Sequence, residues 1–160
     1  MSRKGPAKIR KIIGDPIYNS YVVSRIINRC MMDGKKGPAT KQVYNAIDII
    51  KKEFPKEDPI VILEQALENI KPKIEVRPRR IGGAVYQVPT PVRGHRQFSL
   101  SIRWLVNFSR ALPNKQFHSF GEKIANQLML AYKNEGTCMT KKAEVERMAE
   151  ANKAFAHLRW

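Results

Sequence analysis

The sequence predicts a mainly α fold: a six-helix, bundle-like body with a protruding two-stranded β-hairpin arm and an extended basic N-terminal arm. Three observations predict it. Apolar residues recur at the 3.6-residue spacing of amphipathic helices in six stretches separated by proline, glycine or capping side chains. After Pro72 the period changes to two, on either side of Gly82-Gly83, as a hairpin requires. Residues 1 to 12 hold Arg3, Lys4, Lys8, Arg10 and Lys11 and no acid, with Gly5 and Pro6 opposing regular structure. A chain of 160 residues fits one domain, 1–160, within which 1–14 is the basic arm and 73–90 the hairpin arm.

The elements follow in order. Between Asn19 and Asp33, Val22, Val23, Ile26, Ile27, Cys30 and Met31 share one face, with Ser24, Arg25, Asn28 and Arg29 opposite. Gly34-Lys35-Lys36-Gly37 reads as a basic loop, and Pro38 suits the first turn of a second helix with Ala39, Val43, Ala46, Ile47 and Ile50 inward. Asp58-Pro59 starts a third helix, because the carboxylate caps free N–H groups and proline has none to leave unpaired; Ile62, Leu63, Ala66, Leu67 and Ile70 form its stripe.

In the hairpin, Ile74, Val76, Ala84, Tyr86 and Val88 alternate with Lys73, Glu75, Arg77, Val85 and Gln87, and Pro78 indicates an edge or bulge. A two-stranded hairpin is marginal alone, so this one is expected to project and be held by its ligand. A fourth helix runs from about Arg96 to Leu112. Phe98, Ile102, Trp104, Leu105, Val106, Phe108 and Leu112 form its apolar face, and Arg96, Arg103, Asn107 and Arg110 form a strip opposite. Pro113-Asn114 breaks the chain. Ser119-x-x-Glu122 is a capping pattern for a fifth helix running through Ile124, Leu128 and Ala131 to about Asn134, with Gly136 as its stop. The last helix is expected from Thr140 to Phe155, with Val145, Met148, Ala149 and Asn152 inward and Lys141 and Lys142 exposed near its start.

Charge narrows the function. Thirty Lys and Arg stand against 14 Asp and Glu, a net +16, in a chain whose 42% hydrophobic content argues for a folded core. Such a polycation expects nucleic acid or an anionic surface as its counter-charge. The surplus is segregated. Residues 43–70 hold six acids against three lysines, whereas 71–110 hold nine Lys and Arg against Glu75 alone. Seven of those nine are arginine, whose planar fork pairs bidentately with phosphate and stacks on bases.

The chemistry of catalysis is missing from the pattern. His95, His118 and His157 have no metal-ligand spacing, the glycine-lysine loop is not a nucleotide-phosphate loop, and no nucleophile stands beside a base. Glu144 and Glu146 lie on different faces of a helix and read as solvated. A binding protein without metal or cofactor is expected. Cys30 and Cys138 read as reduced thiols of a cytosolic protein, and neither a membrane-spanning run nor a secretion signal is apparent. The rival reading, a DNA-binding regulator with the hairpin as a winged-helix wing, needs a helix-turn-helix connection that the sequence does not offer. An RNA-modifying enzyme would need a nucleophile or a cofactor loop.

Several collinear motifs then carry a family resemblance. They are Asp15-Pro16-Ile17-Tyr18, Asp33-Gly34-Lys35-Lys36, Ala66-Leu67-Glu68-Asn69-Ile70, Val76-Arg77-Pro78-Arg79-Arg80-Ile81-Gly82-Gly83, Tyr86-Gln87-Val88-Pro89, Arg103-Trp104-Leu105 and the run from Arg147 to His157. From about Asp15 to Trp160 the chain resembles the bacterial form of the small-subunit ribosomal protein S7 family. The resemblance implies a protein of the small-subunit head that binds the 3′ major domain of the rRNA and nucleates head assembly in the bacterial cytoplasm, an organellar ribosome being the less favoured setting. It implies a hairpin of Arg77, Arg79, Arg80, Gly82, Gly83 and Tyr86 near the exit-site tRNA and mRNA path. Ribosomal proteins S11 and S9 would be neighbours, with no membrane and no homo-oligomer. Arg3, Lys4, Lys8, Arg10, Lys11, Lys35 and Lys36 would anchor rRNA, and Arg93, Arg96, Arg103, Arg110, Lys141 and Lys142 complete the expected rRNA-binding set. Thr90-Pro91, Ala143 and Glu146 depart from the family pattern; the last two bear on RNA contacts of the final helix.

Overall fold

The computed structural model of the chain describes Gly5 and residues 13–159. The basic arm residues Arg3, Lys4, Lys8, Arg10 and Lys11 lie outside the described residues. Six α-helices and a hairpin follow: α1 Tyr21–Cys30, α2 Lys36–Glu53, α3 Pro59–Ile70, β1 Ile74–Ile81, β2 Ala84–Pro91, α4 Gly94–Ala111, α5 Phe120–Tyr132 and α6 Thr137–Ala151, ending in a 3-10 segment, Lys153–Leu158.

Local signals start the helices where capping chemistry demands. The Ser20 hydroxyl accepts from the Val23 N–H, Asp58 accepts from the Ile60 N–H ahead of Pro59, and Ser119 accepts from the Glu122 N–H. Glu122 reciprocates, accepting from the His118 N–H at 2.9 Å and the Ser119 hydroxyl at 3.0 Å. These bonds hold the Glu122 carboxyl below its ordinary range.

Helix α5 is the axis of the body, packing on α2, α3, α4 and α6. Ile124, Ala125, Leu128 and Ala131 are fully buried in a core shared with Ile26, Ile47, Leu63 and Leu105 of the surrounding helices. Close approach to α2 requires glycine at 121: a Cβ there would sit 2.7 Å from the Gln42 carbonyl oxygen, and the Gly121 N–H already donates to Gln42 Oε1 at 2.8 Å. Lys123 is also buried, its ammonium donating to the Leu112 carbonyl (2.5 Å) and Asn114 Oδ1 (2.6 Å) and so closing the C-terminal end of α4. Lys123→Met is expected to lower stability by about 1–2 kcal/mol in urea unfolding, because two charge-assisted bonds disappear.

Asp15 shows why its motif matters. It is buried, and its carboxylate accepts from the backbone N–H groups of Ile17 and Tyr18 and from the Tyr44 hydroxyl at 2.9 and 3.0 Å. The entry segment is thereby pinned to α2. Burial, and then the bond to Asp15, push the Tyr44 hydroxyl up to about 12.

Five expectations are corrected. Helix α2 starts at Lys36, inside the expected loop, and α4 starts at Gly94, two residues early. Helix α6 starts at Thr137, which buries Cys138 in its first turn, and gives way to a 3-10 segment after Ala151 instead of running to Phe155. Met148 is exposed although Ala149 beside it is buried, because α6 is short of neighbours on that side. The grouping of the hairpin's faces is the fifth. Gly82 (φ 57°) and Gly83 (φ 87°) form a two-residue turn of the kind that needs positive φ at both positions, pairing Ile81 with Ala84. Tyr86 therefore lies opposite Arg79, and Val88 opposite Arg77. Tyr86 and Val88 share a face with Glu75, not with Ile74 and Val76. Ile74 is exposed and Glu75 buried.

The hairpin is also not free of the body. Both strands pack on α6, and β2 lies along the 3-10 segment. Glu146 of α6 accepts from the Lys73 N–H at 3.2 Å, and the Thr90 hydroxyl donates to the Glu75 carbonyl at 3.4 Å. Two of the residues that depart from the family pattern are therefore engaged at the hairpin root.

Candidate nucleic-acid interface

The root is built around one buried acid. Glu75 Oε1 accepts from Arg77 Nε at 2.7 Å, and both carboxylate oxygens accept from Arg96 Nε at 2.8–2.9 Å, clipping β1 to the first turn of α4. Burial alone would raise the Glu75 pKa; the Arg96 and Arg77 guanidiniums more than offset it and hold the carboxyl below its ordinary 4.5. A depressed carboxylate pKa contributes stability that is present above 4.5 and lost as pH falls through the folded value. Glu75→Gln is accordingly expected to flatten the part of the acid-denaturation curve below that pH, read by circular dichroism.

Beside this clip opens a cleft of about 500 Å³ lined by Arg77, Thr90, Pro91, Arg93, Arg96 and Arg159. Four guanidiniums line it, and among the described residues Glu75 is the one carboxylate paired with any of them, held by Arg77 and Arg96. A groove of about 190 Å³ lies between α1 and α4, lined by Arg25, Asn28, Arg29, Phe98, Ser99 and Ile102. Tyr21 stacks on Phe98 at 5.8 Å, Arg25 lies 5.3 Å over the Tyr21 ring and reaches His95 Nε2 at 3.3 Å, and Lys71 sits over Phe98. Guanidiniums beside aromatic faces suit phosphates and unpaired bases together.

The expected site residues divide by what they touch. Lys35 and Lys36 are exposed at the start of α2, and Arg80, Arg93 and Arg103 are exposed with no ion-pair partner among the described residues. Others are engaged within the fold. Arg110 donates to the Cys30 carbonyl at 3.2 Å, at the end of α1, and Lys142 donates to the Asn69 carbonyl at 2.8 Å, near the end of α3. With Lys123 they make three cations closing the C-terminal ends of neighbouring helices. Lys141 pairs with Glu144 at 2.9 Å, which holds that carboxyl low. Tyr86 is half-buried, its ring tilted against Phe155 at 5.4 Å, and Arg79 on the same face is half-buried as well.

Arg25, Asn28, Arg29 and Arg159 were not among the sites expected from sequence. Helix α1 did carry a signal: its polar face has no acid at all. Arg159 carried none, since only the folded chain brings it to the hairpin root. Among the described residues no cluster of His, Cys, Asp and Glu could hold a metal, and no helix is long and apolar enough to cross a membrane. Burial pushes both thiols up to about 12, for Cys30 against the opposing charges of Arg110 and Arg29, which leaves them inert.

Comparison with known proteins agrees with this basic, RNA-suited surface. The family model described as Ribosomal protein S7p/S5e matches residues 2–153. Relatives named small ribosomal subunit protein uS7 are 52% identical in Caldicellulosiruptor bescii and 49% in Pediococcus pentosaceus, each over the full length of both chains. Another so named, from Thermotoga neapolitana, is 51% identical over 99% of each chain. Identity near one half over essentially the whole length, together with the family match, shows that the chain belongs to the ribosomal protein S7p/S5e family.

Proposed function

We propose that this chain is a structural, non-catalytic component of the small ribosomal subunit in the bacterial cytoplasm. It is a primary binder of the 3′ major domain of the rRNA that nucleates assembly of the subunit head. The single observation that carries this reading is the four-arginine cleft at the hairpin root, opposed among the described residues by Glu75 alone. The mechanism is electrostatic and geometric. Arginine and lysine displace condensed counterions from a folded rRNA junction, while the helical body, braced on α5, holds the attached rRNA helices in one arrangement. Specificity comes chiefly from shape, because paired rRNA presents phosphates and 2′-hydroxyls more than base edges.

In this reading Arg80, Gly82 and Gly83 at the hairpin tip face the exit-site tRNA and mRNA path, and α6 lies toward ribosomal protein S11, with ribosomal protein S9 among the neighbours in the head. Lys35, Lys36, Arg93 and Arg103 contact rRNA, together with the N-terminal basic residues. Arg79→Glu with Arg80→Glu should impair reading-frame maintenance on reconstituted subunits more than rRNA binding, whereas deletion of residues 1–11 should weaken rRNA binding in a filter assay. Identical defects from the two changes would overturn the division of labour. A chemical footprint on small-subunit rRNA tests the whole reading: protection confined to the 3′ major domain is expected, and protection scattered over unrelated transcripts would refute it.

A further inference from the structure

We propose that the segment after α6 is a working part of the RNA site: Phe155, seated on Tyr86, delivers Arg159 to the hairpin-root cleft and completes a clamp for one RNA phosphodiester. The inference rests on the rRNA-binding reading above and assigns a ligand class to a cleft that reading leaves undivided.

The structure supplies the parts. After Ala151 the chain leaves α6 through Asn152 and tightens into the 3-10 segment, which buries no residue of its own fully. Its aromatic anchor is Phe155, half-buried against the Tyr86 ring at 5.4 Å and 56°. Tyr86 belongs to β2, so the contact ties this segment to the hairpin rather than to the helical core. Beyond the 3-10 turn the backbone extends at Arg159 (φ −88°, ψ 102°), and the side chain lines the cleft with Arg77, Arg93 and Arg96. Arg77 and Arg96 are held by Glu75, which fixes their direction and partly neutralises them. Arg93 and Arg159 have no carboxylate partner among the described residues. Two fixed and two unneutralised guanidiniums around an open cleft match a single tetrahedral anion on a polymer backbone, approached by planar forks from several sides.

The distinguishing property is that a neutral residue controls an ionic contact. Affinity of the full chain for a 3′ major domain transcript, measured against salt, reads the number of phosphates neutralised through the slope of log K on log[salt]. Arg159→Gln should make that slope shallower by roughly 0.7–0.9, the loss of one phosphate contact. Phe155→Ala removes no charge, yet should produce a similar change, and Phe155→Tyr should restore the original slope. An unchanged slope in Phe155→Ala, with unaltered circular dichroism, would overturn delivery by Phe155. If Phe155→Ala disturbs the fold, Arg159→Gln still decides: an unchanged slope there sinks the clamp. Should the unaltered chain show no preference for the transcript over random RNA of equal length, the functional reading beneath fails; a preserved preference with an unaltered Arg159→Gln slope removes only the clamp.

Discussion

A chain carrying Arg93→Gln and Arg103→Gln together is expected to bind the 3′ major domain transcript about a hundredfold more weakly than the unaltered chain. Both side chains are exposed and neither has an ion-pair partner among the described residues, so their removal orphans no carboxylate. Each charge-assisted contact with phosphate is worth about 1.5–3 kcal/mol, and two at the lower bound give about 3 kcal/mol, or rather more than two decades in affinity. The salt slope should become shallower by roughly 1.5. Stability should stay within about 0.5 kcal/mol, as for other substitutions at exposed positions. Lys51→Gln with Lys52→Gln is the matched control: it removes the same charge from the stretch where acids outnumber lysines, and should leave affinity nearly unchanged. Equal losses from the two pairs would mean that total charge, not its placement, governs binding.

Leu128→Ala should lower the free energy of unfolding by about 2–5 kcal/mol, a large share of the roughly 5–15 kcal/mol margin of an ordinary domain. Leu128 is fully buried on the helix that touches four others, and the cavity left by truncation cannot be closed by moving one neighbour alone. Gly121→Ala, two turns earlier on the same side of α5, should cost about 1–3 kcal/mol for the opposite reason, since the added methyl meets the Gln42 carbonyl oxygen and α5 must move off α2. Urea denaturation followed by circular dichroism measures both. A change below about 1 kcal/mol for Leu128→Ala would refute the central place of α5.

Much of this architecture was legible in the sequence because it is local. Asp58-Pro59 and Ser119-x-x-Glu122 begin helices through bonds that span only two to four residues. The apolar stripes of α2 and α3 match their buried faces residue for residue. The hairpin's faces were not legible because alternation in each strand leaves the pairing between strands open until the turn is known, and the two-residue turn sets Tyr86 opposite Arg79. Met148 was misplaced for a related reason: a helical wheel marks an apolar residue but not whether a neighbour exists to cover it.

By itself, then, the sequence determined the number and kind of elements and the crowding of cations between residues 71 and 110, since period, capping and charge are properties of short stretches. Tertiary structure alone decided which cations serve the fold and which remain for a ligand. Arg110 reaches Cys30 across 80 residues of chain and Lys142 reaches Asn69 across 73, while Arg159 comes to lie beside Arg77. The physical reason is that a helix end seeks whatever donor packing brings to it, and a guanidinium engaged there is partly withdrawn from phosphate.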